Sequence, residues 1–180
     1  LTLTYLAAAV TGTADVQNIS VSGTNGTFTA NGAETIAITT TGLAATLADV
    51  ASDAVTKLTI AGDQNLTLTA AESIKTIDAS ALTGGLTMTA AAAAQTITGG
   101  AGDDSFDMVG TLDKSDTIDG GAGTADAIAL SGVGVLADTD FTGVTNVEKL
   151  TTFTGNNGII NVVLGAQAAE AGIKTITSTA

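Results

Sequence analysis

The chain has 180 residues, enough for one domain or one segment of something larger, with 18 acidic against 5 basic side chains and a net charge of −13. It holds no Cys, His, Pro or Trp and only 3% aromatics, which excludes a disulfide framework, thiolate or imidazole metal sites and the common nucleophile–base pairs. Nucleic acid and anionic lipid are poor partners for a surface without clustered Lys and Arg, and at 13% charged residues the chain is no solvated polyanion either.

Any metal site must therefore be built from oxygen, which favours a hard cation such as calcium. No run of about 18 apolar residues is present that would span a membrane. The chain opens at Leu1 with no charged-then-apolar leader, so we expect a processed product or an excised fragment.

From residue 16 onward the sequence repeats itself. One aliphatic position recurs as Ile19, Ile38, Leu58, Ile77, Ile97 and Ile118, in steps of 19, 20, 19, 20 and 21. A second runs Phe28, Leu47, Leu66, Leu86, Phe106 and Ile128, in steps of 19, 19, 20, 20 and 22. A third, Val16, Val55, Ile74 and Ala94, sits three residues before the first. Within a copy, two short stretches alternate apolar residues with Thr, as in Leu66-Thr67-Leu68-Thr69 and then Lys75-Thr76-Ile77. Leu86-Thr87-Met88-Thr89 and Gln95-Thr96-Ile97 repeat this one copy later. Such alternation marks strands with one buried face. Two strands and two turns in about 20 residues leave no room for a crossover helix, and equal spacing of equal faces asks for coils wound one way. The expected fold is all-β, a right-handed parallel β-solenoid (β-roll or β-helix) of about 20 residues per coil. A helix-rich reading fits Leu43, Leu47, Val50 and Ala54 by spacing and 90–94 by propensity, but the abundance of Thr and Gly opposes it.

Further along, Gly99-Gly100-Ala101-Gly102-Asp103-Asp104-Ser105-Phe106-Asp107 fits every fixed position of the nonapeptide G-G-x-G-x-D-x-U-x. One coil later, Asp119-Gly120-Gly121-Ala122-Gly123-Thr124-Ala125-Asp126-Ala127-Ile128 repeats it with one extra residue before the acid. Glycine admits left-handed turns and lets carbonyl oxygens approach one point. The Asp adds a charged oxygen, and the hydrophobic residue after it returns the chain to the core. Calcium takes about six to eight oxygens, which one turn cannot supply and two stacked turns can. Thr83-Gly84-Gly85 with Asp78, and Gly62-Asp63, are weaker relatives in the preceding coils.

Residues 96–130 thus resemble the RTX family of secreted bacterial repeat proteins. The resemblance implies bound calcium, with Asp104 as the acidic ligand of the first turn and the carbonyls of Gly99, Gly100, Ala101 and Gly102 beside it. It implies Asp126 as the counterpart in the second turn, with Gly120, Gly121, Ala122 and Gly123. Glycine turns on one edge only imply a single row of ions. Asp15, Glu34, Asp49, Asp53, Glu72 and Glu148 read as solvated turn residues, and Asp138 and Asp140 as alternative calcium ligands.

After Leu130 the period breaks. Residues 1–130 read as regular coils with calcium turns at 99–104 and 120–126, and 131–180 as an irregular continuation. Within it 131–143 read as an insertion, and Val144, Val147, Leu150 and Ile159 as one restored coil. Gly165–Gly172 reads as a short helical excursion before a strand with Ile173 and Ile176.

The Thr/Ala/Gly-rich chain without Cys, and the phrase Val144-Thr145-Asn146-Val147-Glu148-Lys149-Leu150, are similar in style to surface-layer proteins of Gram-negative bacteria. That resemblance implies export by a type I system and self-association into a calcium-dependent lattice at the cell surface. Contact with lipopolysaccharide would run through another region of the parent chain, without membrane insertion and without nucleic acid. The competing expectations are the calcium-binding stalk of a secreted adhesin or exoenzyme, and an ice-binding solenoid suggested by Thr pairs at 27/29, 67/69 and 87/89. No enzyme is expected, since no basic or aromatic cluster accompanies the acids.

Overall fold

The structure, a computed structural model, describes residues 12–51, 53–69, 74–91, 93–109, 111–132, 134–153 and 160–179. Alternating apolar and Thr-rich segments form paired strands. These are β1 (Val16–Val21) with β2 (Thr24–Thr29), β3 (Thr35–Thr40) with β4 (Ala45–Ala51), and β5 (Lys57–Gly62) with β6 (Leu66–Leu68). Three more coils pair β7 (Thr76–Leu82) with β8 (Leu86–Thr89), β9 (Thr96–Thr98) with β10 (Ser105–Asp107), and β11 (Thr117–Asp119) with β12 (Ala127–Leu130). Then come β13 (Gly134–Leu136), a 3-10 turn at Asp138–Phe141, β14 (Val144–Thr145) and β15 (Lys149–Phe153). β16 (Ile160–Val162), α1 (Ala166–Ala171) and β17 (Thr175–Thr179) complete the order.

All strand pairs are parallel, and each strand lies beside its counterpart in the next coil. One sheet runs β1-β3-β5-β7-β9-β11-β14, the other β2-β4-β6-β8-β10-β12-β15-β17. This is the expected all-β solenoid, with about six turns of roughly 21 residues. The core lies between the two sheets, where Ile36, Leu58, Ile77, Ile97 and Ile118 stack in one column and Met88, Phe106, Ile128 and Leu150 in the facing one.

The register departs from the expected ladders in both sheets. Leu58 stands beside Ile36, while Ile38 pairs with Ile19 and Ile60. In the facing sheet Phe28 pairs with Val50 and Leu47 with Leu68, and Phe106 stands beside Met88 rather than Leu86. Where a strand carries two inward residues two apart, as in Ile36 and Ile38, Leu58 and Ile60 or Leu86 and Met88, a slip of two keeps the buried face. Phe28 instead meets Val50, three residues beyond Leu47 and also buried. The third expected series also changes. Val55 and Ile74 are buried, but Val16 is 55% exposed and Ala94 exposed, and Gln95 turns inward in its place. Its Nε2 donates to the Ile74 carbonyl at 2.6 Å, its Oε1 accepts the Ala91 N–H at 2.8 Å, and Asp116 Oδ1 of the next coil accepts the Gln95 N–H at 3.0 Å. A fully bonded polar column thus replaces an apolar one along that edge.

Regular coiling stops at Leu130, where the period breaks. β13 leaves both sheets and pairs with β16 in a two-stranded sheet, before Val144 returns to pair with Ile118. Val147 and Leu150 are buried as expected; Ile159 lies outside the described residues. Asp138 and Asp140 are engaged within this excursion. Asp138 accepts the N–H groups of Gly165 at 2.7 Å, Ala168 at 3.0 Å and Gln167 at 3.2 Å, capping α1. Asp140 accepts the Ala137 N–H at 2.8 Å. α1 packs against β14, the last strand of the seven-stranded sheet.

Ile97→Ala empties a fully buried position in a core two sheets wide, and should cost about 2–5 kcal/mol in equilibrium denaturation. Thr87→Ala, on the outward face of β8, should cost under about 1 kcal/mol by the same measurement.

Candidate metal centre

β9 and β11 run parallel and end one above the other, so the chain leaves both strands into stacked turns. Gly99 N–H donates to the Asp119 carbonyl at 2.8 Å, and Ala122 N–H to the Gly100 carbonyl at 2.9 Å. The glycines serve this stacking more than they serve left-handed geometry. Of those in the two turns, Gly121 has a positive φ, +99°. At Gly99 a Cβ would fall 2.1 Å from the Gly120 carbonyl oxygen and 2.2 Å from Asp104 Oδ2. At Gly120 it would fall 1.8 Å from the Asn146 carbonyl oxygen. No side chain fits between coils this close.

Asp104 and Asp126 both point inward, with 2% and 0% exposure. The extra residue in the second turn does not displace Asp126. Asp103 Oδ1 accepts the N–H groups of Thr124 and Ala125, both at 3.0 Å, and holds the longer turn while Asp126 settles over Asp104. A file of carboxylates results, each accepting a backbone N–H from the coil below. Asp104 Oδ1 takes the Leu86 N–H at 2.6 Å, Asp126 Oδ1 the Asp104 N–H at 2.6 Å, and Glu148 Oε2 the Asp126 N–H at 3.1 Å. Glu148 is therefore no plain solvated turn residue. Nor are Glu34 and Asp53, which accept the N–H groups of Asp15 and Gly32 at 2.8 Å each, while Asp15 accepts that of Gly12 at 3.1 Å. Glu72 lies outside the described residues. A signal for Glu148 is present in the sequence: from Asp104 to Asp126 and from Asp126 to Glu148 the step is 22 residues.

The two aspartates differ in one respect. Asp104 Oδ2 accepts the Gly100 N–H at 2.6 Å, so both of its oxygens are engaged. The corresponding Gly121 N–H, turned by its positive φ, donates to Asp119 Oδ1 at 3.0 Å instead. Asp126 Oδ2 is left buried without a hydrogen-bond partner. Beside it, a Cβ on Gly123 would fall 2.5 Å and 2.7 Å from the two Asp126 oxygens and 2.7 Å from the Gly102 carbonyl oxygen. The missing side chain leaves a cradle on which three oxygens converge.

Burial raises the pKa of Asp104, opposed by the N–H groups of Leu86 and Gly100 and reinforced by Asp103. Burial raises Asp126 further, to about 6, opposed by the Asp104 N–H and reinforced by the charges of Asp104, Glu148 and Asp103. The cation at this file is Lys174, 3.9 Å from Glu148 Oε1 and largely exposed. Among the described residues no three acidic side chains gather as a metal-binding group, so coordination here would draw on backbone carbonyls. Of the nominated carbonyls, those of Gly102 and Gly120 stand close to a carboxylate, and that of Gly100 already accepts an inter-coil hydrogen bond. An oxygen-only cradle, buried and short of positive charge, fits a hard divalent cation. Comparison with family models, curated proteins and solved structures found no match to this chain.

A carboxyl whose pKa is higher folded than unfolded binds its proton more tightly in the native state. Its contribution to stability is complete below the unfolded value, near 3.8, and is lost as pH rises through about 6. In chelator, thermal unfolding midpoints should therefore fall between about pH 4 and 6.5, and Asp126→Asn should flatten that slope. An unchanged slope in the variant would mean that the loss arises elsewhere.

Proposed function

We propose that this chain is a structural, calcium-dependent element of a secreted bacterial surface layer, self-assembling into a lattice on the outer membrane. The observation that carries the reading is the Asp104–Asp126–Glu148 file on stacked glycine turns, its two aspartates buried and one carboxylate oxygen of Asp126 unpartnered. The RTX resemblance of residues 96–130 supports it. So does the net charge of −13, which keeps subunits apart until divalent ions neutralise or bridge them.

Calcium would be held by Asp126 and the glycine-turn carbonyls, supplying positive charge that these coils lack. The ion then stabilises the fold. Where free calcium is scarce the like charges weaken these turns, and outside the cell the ion closes them. The outward strand faces carry small side chains, with Thr24, Thr46, Thr67 and Thr87 in one row and Ser105 next. With so few aromatics the surface offers few anchors for a tight pairwise interface, so lattice contacts would be many and weak or bridged by ions. Among the described residues no helix is long and apolar enough to cross a membrane. On this reading the chain is not an enzyme, and lipopolysaccharide would be met by another region of the parent.

In millimolar calcium the full-length parent should form ordered sheets or large oligomers, visible by sedimentation and electron microscopy, and should revert under a chelator. Sodium chloride at matched ionic strength should not substitute, because screening weakens repulsion without supplying coordination. A parent that folds in calcium yet stays monomeric would overturn the lattice and favour the stalk of an adhesin or exoenzyme.

A further inference from the structure

The nonapeptide draws attention to Asp104, yet the hydrogen bonds at the two aspartates are not alike. Asp104 spends Oδ1 on Leu86 N–H and Oδ2 on Gly100 N–H, both at 2.6 Å. A cation taking either oxygen would compete with a short, charge-assisted bond, and would leave a buried N–H weakened or unpaired. Asp126 has no such conflict: Oδ1 holds the Asp104 N–H, while Oδ2 is fully buried and free.

We propose that the cation's seat is the second turn, formed by Asp126 and the Gly102 carbonyl, and that Asp104 is a structural clamp rather than the principal ligand. This rests on the calcium reading above and locates the ion within it. Three further features favour the second turn. Gly123 leaves open the point on which Asp126 Oδ1, Oδ2 and the Gly102 oxygen converge. The extra residue of that turn, held by Asp103, still delivers Asp126 in register while Gly121 N–H turns away to Asp119. Asp126 also lies between two other carboxylates of the file, Asp104 below and Glu148 above, so a bound cation relieves repulsion from both sides. Glu148 stands outside the nonapeptide and enters through its N–H clamp on Asp126. It acts as a positioning residue that also adds negative charge.

The two isosteric variants should behave in opposite ways, read by calorimetric calcium titration and by thermal unfolding in chelator. In Asp126→Asn, Oδ1 still accepts the Asp104 N–H, and an amide hydrogen replaces the orphaned oxygen beside the Gly102 carbonyl. The chelated variant should melt above wild type, while calcium affinity falls by at least about tenfold. In Asp104→Asn an amide N–H must face a backbone N–H, that of Leu86 or Gly100. This variant should melt below wild type, yet bind calcium within about threefold of it. Wild-type affinity in Asp126→Asn would overturn the proposal by itself, whether or not Asp104→Asn folds. Equal losses in the two variants would overturn it as well. Wild-type protein that binds no calcium at all would instead remove the calcium reading on which the proposal stands.

Discussion

Parallel coils stack at about 4.8 Å, and every corner must satisfy the spacing that the strands satisfy with their hydrogen-bond ladders. A strand has a carbonyl for each N–H; a corner does not. Buried N–H groups without acceptors are costly, and in this molecule carboxylates fill the role. Glu34, Asp53, Asp104, Asp116, Asp126 and Glu148 each accept an N–H from the coil below. Glycine answers the complementary problem, since a Cβ at Gly99, Gly120 or Gly121 would collide with a carbonyl of the neighbouring coil. Much of the acidity is therefore architectural.

That solution accumulates charge. Among the described residues the ion pairs are Lys57 with Asp78 and Lys174 with Glu148, both at 3.9 Å, and pairs this long with an exposed lysine contribute little. On the edge carrying Gln95, both oxygens of Asp116 accept a backbone N–H, from Gln95 and from Asp113. On the glycine edge three acids follow one another in successive coils, and Asp126 lies within reach of the charges of Asp104, Glu148 and Asp103. A proton on Asp126 or a bound divalent ion relieves the same strain, so the proposed calcium dependence and the pH response share one cause.

The excursion after Leu130 preserves this arrangement while interrupting the period. β13 and the 3-10 turn loop out, and Val144 then returns beside Ile118 with Glu148 over Asp126. Asp138 ties that insertion to α1, and Gly172, at φ +101°, ends the helix so that β17 can lie beside β15. On the eight-stranded side the last member of the core column, Ile176, remains 56% exposed at the outermost strand.

The sequence by itself determined that the chain coils, roughly how long a coil is, which face of most strands is buried, and that two glycine turns lie on one edge. Stacking places equivalent residues in equivalent surroundings, so periodicity survives in the text. It could not determine the register between Ile36 or Ile38 and Leu58, because a slip of two residues keeps every apolar side chain inside. It left Gln95 unmarked, because an amide becomes a core residue only when Ile74 and Asp116 stand on either side to bond it. Glu148 keeps the 22-residue step that links Asp104 to Asp126, but outside the nonapeptide only its bond to the Asp126 N–H marked it as the third acid of the file. The difference between Asp104 and Asp126 lay deeper still. Both are aspartates after a glycine turn, the second with one extra residue, and the conformation of Gly121 turned one N–H away to Asp119 and left one oxygen free.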